Sequence, residues 1–361
     1  MGLLLVSLVV LILVIVAAFA MPARTAPITD ANRMPVPGSV AILEDVTIGG
    51  VKQSVLVRGR SARNPVLLFL HGGPGTSELG MLRAFNIPAL EHHFTVVVWD
   101  QRGAGKSFAA LEPASGMTVE QLISDAHELT LWLRQRFAQE KIYLVGHSWG
   151  SALGVLAVGR RPELYHAYVG FGQVVNMREG ERISYEWALA RAQEARDSRS
   201  VAKLKAIGPP PYSGDLRSKV IAQRKILGKY GGELYGSRYG GFFVLLACLL
   251  KAREYSWRDR INVFRGIFAS MRLLWPQILS INLMGQAPEL RVPVYFLEGR
   301  HDYEAPSALV EQYYQAVRAP SKTLVWFENS AHFVNTEEPD AFNRFFVDRL
   351  RVETHRPAST Q

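Results

Sequence analysis

Serine, aspartate and histidine occur in this chain in settings suited to nucleophilic catalysis. The apolar run Ile142-Tyr143-Leu144-Val145 leads into Gly146-His147-Ser148-Trp149-Gly150, and small or apolar residues follow from 151 to 158. That order predicts a buried strand, a sharp turn and a buried helix, a setting that holds a serine hydroxyl out on a strained elbow. Gly146 and Gly150 stand two residues either side of Ser148, where a tight strand-to-helix crossing leaves no room for side chains. A hydroxyl is a poor nucleophile at neutral pH and needs a base; the base needs an anion to fix its tautomer. Strand-like residues 292–297 run into Glu298-Gly299-Arg300-His301-Asp302, and residues 323–327 into Glu328-Asn329-Ser330-Ala331-His332-Phe333. The chain order serine, acid, histidine predicts Ser148 as nucleophile, Asp302 as orienting acid and His332 as base.

Acyl transfer also requires N–H donors aimed at the developing oxyanion, and losing one costs roughly 100- to 1,000-fold in rate. Strand-like residues 65–70 lead into His71-Gly72-Gly73-Pro74-Gly75. The amides of Gly73 and of Trp149, the residue after the nucleophile, are the expected donors. The motif at 71–75, Trp99-Asp100-Gln101-Arg102-Gly103-Ala104-Gly105-Lys106-Ser107, and Gly146-His147-Ser148-Trp149-Gly150-Ser151 together resemble the proline iminopeptidase family of α/β-hydrolases. The resemblance runs from about residue 40 to about 351 and is tightest at these motifs, at 299–302 and at 330–332. It implies an α/β fold: a mainly parallel central sheet with helices on both faces and an inserted helical cap. It also implies a serine aminopeptidase that needs no cofactor or metal and releases N-terminal proline or another residue from short peptides. Carboxylates in the cap hold the free amino terminus in that family. The cap region here has few acids, and Glu233 and Glu254, set among aromatic residues, are the candidates; a surface salt bridge is the competing role for both.

The elements that must position these groups set the domain plan. Residues 40–175 and 291–352 read as the hydrolase core, 176–290 as the cap and 353–361 as a tail. Within the core, residues 40–58 predict a hairpin turning at Gly49-Gly50. Residues 79–90 predict one helix, and Thr118 caps a helix with the apolar stripe Leu122, Ala126, Leu129, Leu133 and Phe137. Strands alternating with helices call for a parallel sheet covered on both faces. The cap carries 19 Lys/Arg against 10 Asp/Glu, an excess equal to the net charge of the 361-residue chain, +9. Solvated helix faces, docking to anionic headgroups and attraction of acidic substrates are all compatible with that charge.

Residues 3–20 are apolar except for Ser7 and carry no charge, just enough to cross a bilayer as a helix. Residues 1–22 therefore read as a single-pass membrane anchor, with a signal segment cleaved after Ala18-Phe19-Ala20 (giving a secreted or periplasmic protein) and a buried helix as alternatives. Residues 23–39, rich in proline, read as an extended linker. Cys248, the single cysteine, sits in an apolar run and reads as core. Gly103-Ala104-Gly105-Lys106-Ser107 lacks the glycine that a phosphate-binding loop requires five residues before its Gly-Lys, where Asp100 stands. His92 and His93 lack the spacing of a metal site. No nucleic-acid motif is present, and the partners expected are a small-molecule or short-peptide substrate and a membrane. Two alternatives share these features: a membrane-tethered esterase, lactonase or lipid amidase, and a non-catalytic binding protein of hydrolase fold. The second has no use for a strained nucleophile.

Overall fold

A computed structural model describes Ser7, residues 22–237 and residues 240–354. The eight strands are β1 Val40–Ile48, β2 Val51–Gly59, β3 Val66–Leu70, β4 Thr95–Trp99, β5 Ile142–His147, β6 Tyr165–Phe171, β7 Val294–Gly299 and β8 Lys322–Phe327. They form one sheet in the order β1-β2-β4-β3-β5-β6-β7-β8, in which only β2 runs against the others. Side chains alternate across a strand, so β3 sends Leu68 and Leu70 to one face and Leu67 and Phe69 to the other. Both faces are packed, and β3, β4 and β5 are buried along their whole length. This is why their sequences read as unbroken apolar runs.

Helices α1 Leu79–Phe85, α2 Val119–Arg136 and α3 Trp149–Arg160 connect the strands in the first half of the chain. Thr118 accepts from the Gln121 amide at 3.0 Å, the expected cap. The single helix expected over 79–90 is split at Asn86, followed by a separate turn at Ile87–Leu90. Pro88 has no N–H to continue the ladder, and the Asn86 side chain donates to Asn335 O and Asn343 Oδ1, each at 3.0 Å. Between β6 and β7 the chain inserts α4 Met177–Glu194, α5 Ser198–Ile207, α6 Leu216–Lys229, α7 Gly241–Lys251 and α8 Trp257–Ile278. After β7, α9 Ser307–Ala316 returns to the sheet.

The proposed anchor falls, Ser7 apart, outside the described residues. Among the described residues no helix is long and apolar enough to cross a membrane. The stretch expected as a linker lies against the domain: the Arg24 amide donates to Arg253 O at 3.0 Å, Arg58 donates to Ala26 O at 2.6 Å, and Ile28 is buried.

Candidate active site

The chain reverses direction in the sheet between β3 and β5, and the loops at their carboxyl ends meet there, the usual place for a ligand crevice in such sheets. Ser148 sits directly between β5 and α3 with φ of 50° and ψ of −122°, a conformation that costs a non-glycine residue energy and projects its side chain outward. The elbow tolerates no Cβ at Gly146 or Gly150: the first would strike the Gly150 carbonyl, the second the carbonyls of Leu70 and His71. The Ser148 amide donates to Phe171 O at 3.1 Å. A Cβ on the next residue, Gly172, would lie 2.8 Å from His332 Nδ1. The end of β6 thus touches both the Ser148 backbone and the His332 ring.

His332 is buried, and its Nδ1 lies 2.8 Å from Asp302 Oδ2. Asp302 Oδ1 accepts from the amides of Glu304 at 2.8 Å and Ala305 at 2.9 Å, so the carboxylate is held at both oxygens. The other ring nitrogen of His332, Nε2, is buried without a hydrogen-bond partner. With Nδ1 committed to Asp302, Nε2 is the ring position left to gain or lose a proton. Burial disfavours the imidazolium, but the carboxylates of Asp302, Glu304 and Glu233 outweigh it and raise the ring to about 10. Burial, and then the charge of Asp302, push the carboxyl of Glu298, at the end of β7, well up.

At the donor side, Gly73 has φ of 113°, a conformation open to glycine. Trp149 occupies the first position of α3, where an amide has no carbonyl of its own helix to bond. The two loops are tied together by a residue that the motif reading treated only as part of a turn. Gln101 donates through its amide to His71 Nε2 at 3.1 Å and through Nε2 to His71 O at 2.9 Å, and accepts from Trp149 Nε1 at 3.0 Å. Its neighbours are structural: Asp100 takes Ser77, Tyr255 and the Lys106 amide, and Arg102 pairs with buried Asp125 at 2.9 Å.

Two further carboxylates escaped the sequence reading. Glu78 accepts from the Gly72 amide at 2.9 Å and binds His147 Nδ1 at 2.6 Å, while His147 Nε2 donates to His332 O at 3.1 Å. Glu337 Oε2 accepts from Ala331 and Phe333, the amides on either side of His332, at 3.0 and 3.1 Å. No local pattern marks either residue.

The two cap carboxylates proposed for substrate binding part company. The loop of Glu233 lies on the loops that carry Asp302 and His332: the His332 amide donates to Glu233 O, and the Tyr303 amide to Gly232 O, each at 3.0 Å. Burial, then repulsion from Glu304, raises the Glu233 carboxyl to about 8. Glu304 itself, overlooked in the sequence, has one buried oxygen without a partner and lies 3.4 Å from Arg224, which also binds Glu181. Glu254 is elsewhere. Its buried carboxylate is held by Arg83 and by Thr25 Oγ1, each at 3.0 Å, and shares no partner with Ser148, Asp302 or His332. Its expected substrate contact is replaced by an internal ion pair, the competing role, though buried rather than at the surface.

A family model described as the alpha/beta hydrolase fold matches residues 65–204. The probable aminopeptidase YbaC of Bacillus subtilis (strain 168) is 35% identical over 304 residues, covering 84% of this chain and 94% of that protein. The chain belongs to the α/β-hydrolases of proline iminopeptidase type. A proline iminopeptidase from Heyndrickxia coagulans is 25% identical across 79% of this chain and 90% of its own length. Among solved structures, a proline iminopeptidase-related protein from Thermus thermophilus superposes with a TM-score of 0.62 at 20% identity, covering 87% of this chain and 99% of that one. Glu304 and Glu233 are, after Asp302, the carboxylates whose charge bears on the His332 ring.

Proposed function

We propose that this α/β-hydrolase is a serine aminopeptidase that cleaves the first amide bond of short peptides, proline being the preferred first residue. The observation that carries the reading is His332, locked to Asp302 through Nδ1 with its buried Nε2 left unbonded beside the Ser148 elbow. Ser148 Oγ attacks the carbonyl carbon as its proton passes to Nε2. The oxyanion so formed lies against the Gly73 and Trp149 amides. Collapse breaks the C–N bond, and Nε2 returns the proton to the leaving amine; water then repeats the sequence on the acyl-enzyme. Glu233 and Glu304 receive the substrate's ammonium group, whose charge favours ionisation of the raised Glu233 carboxyl. The names of the two relatives, an aminopeptidase and a proline iminopeptidase, support this reading.

The test is turnover of a proline arylamide beside a panel of acyl esters, together with labelling by a fluorophosphonate. The expected result is arylamide hydrolysis and labelling, both lost in Ser148→Ala. Turnover of esters alone overturns the peptidase assignment; labelling that survives Ser148→Ala overturns the nucleophile. Glu233→Gln is expected to raise KM for the free-amine arylamide while leaving an N-acylated ester unaffected.

A further inference from the structure

Among the described residues nine large hydrophobic side chains are exposed, and five of them, Phe242, Phe243, Leu250, Ile261 and Phe268, lie on the two neighbouring cap helices α7 and α8. On α8 the residues Trp257, Ile261, Phe264 and Phe268 recur at i, i+4, i+7 and i+11, which puts them on one face. Phe242 of α7 meets Phe264 of α8 with ring centroids 6.0 Å apart, so the two faces form one apolar ridge. Its border is cationic. Lys251, Arg253 and Arg258 are exposed, and Arg217 lies over the Phe268 ring at 3.8 Å. The two acids of this stretch, Glu254 and Asp259, are already paired with Arg83 and Lys106.

The described N-terminal segment ends at the same place. Arg24 and Thr25 are hydrogen-bonded to Arg253 and Glu254, in the short loop that joins α7 to α8. The uncharged apolar residues 3–20 therefore join the domain at the ridge.

We propose that this ridge docks on an anionic lipid bilayer. Aromatic and aliphatic side chains rimmed by Lys and Arg suit the headgroup–acyl boundary, where apolar burial and attraction to anionic lipid act together. A second copy of the chain is the poorer occupant, since the pairing would bring two cationic borders face to face. The ridge begins at Gly241, which lies against Phe333, the residue after His332. Docking thus sets the catalytic crevice beside the membrane surface.

The test uses the full chain with Cys248→Ala and a polarity-sensitive fluorophore at Phe242→Cys or Ile261→Cys, mixed with phosphatidylglycerol vesicles containing acyl-chain nitroxide quenchers. A label at Leu131→Cys, on α2, is the control. Docking predicts a blue shift and quenching at 242 and 261 but not at 131. It also predicts roughly tenfold weaker partition for Lys251→Gln/Arg258→Gln, or for phosphatidylcholine vesicles. Three results overturn the proposal: bound protein whose 242 and 261 labels stay unquenched, so that residues 3–20 act alone; equal quenching at 131; or a blue shift that needs no vesicles and grows with protein concentration, which is self-association.

Discussion

Two buried histidine–carboxylate pairs flank Ser148, with the two imidazole centroids 4.8 Å apart, and they differ in what they leave unbonded. In the His332–Asp302 pair one ring nitrogen is bonded and the other has no partner. In the His147–Glu78 pair both nitrogens are engaged, one by the carboxylate and one by the His332 carbonyl. Glu78 also takes the Gly72 amide, so this second pair joins the 71–75 loop, the Ser148 elbow and the His332 loop. Burial would raise the Glu78 carboxyl, but the charge and hydrogen bond of His147, with smaller help from His71 and Gly72, hold it below its ordinary value. The difference assigns roles that residue type alone does not. A histidine with one ring nitrogen free of partners can exchange a proton through it, whereas one with both nitrogens engaged is a strut.

Substitutions separate the two. His332→Gln should lower kcat on the best arylamide by about 10⁴ or more, and Asp302→Asn by about 10⁴, because each removes or mis-tautomerises the base. His147→Gln should cost about 10- to 100-fold, the scale of a small misplacement of the reacting groups. Equal losses at 332 and 147, measured side by side in steady-state assays, would dissolve the distinction.

Glu78→Ala leaves His147 buried without its anion and is expected to destabilise the fold by about 3–5 kcal/mol in urea denaturation at pH 7. The pH dependence has a definite sign. Glu78 is depressed in the folded state, so its contribution is present above the ordinary 4.5 and is lost as pH falls through the lower folded value. The stability gap between the parent and Glu78→Gln should therefore close in acid. Glu304→Gln removes one of the carboxylates that raise His332, and the acid limb of kcat/KM should move to lower pH. An upward movement would show that Glu304 does not face the ring. The smallest effect belongs to Glu254→Gln: about 1 kcal/mol from the Arg83 and Thr25 bonds, with kcat/KM within about twofold.

The amino-acid sequence by itself determined whatever is written locally or with a short period. The strand–Gly146–Ser148–Gly150–helix crossing, the Gly49-Gly50 hairpin and the Thr118 cap each depend on backbone geometry within a few residues. The two-sided burial of β3 to β5 is likewise legible as continuous apolar runs. Only the tertiary structure decided which polar groups face one another. Glu78 finds His147 across 69 positions, Gln101 finds Trp149 across 48, and Glu254 finds Arg83 across 171. The split at Asn86 has the same origin, since its partners lie 249 and 257 positions downstream. A side chain's periodicity records whether it is buried, but its hydrogen-bond partner is set by which loops the sheet order brings together at the strand ends. That is why Glu233 and Glu254 looked alike in the chain and only one of them lies against the loops of Asp302 and His332.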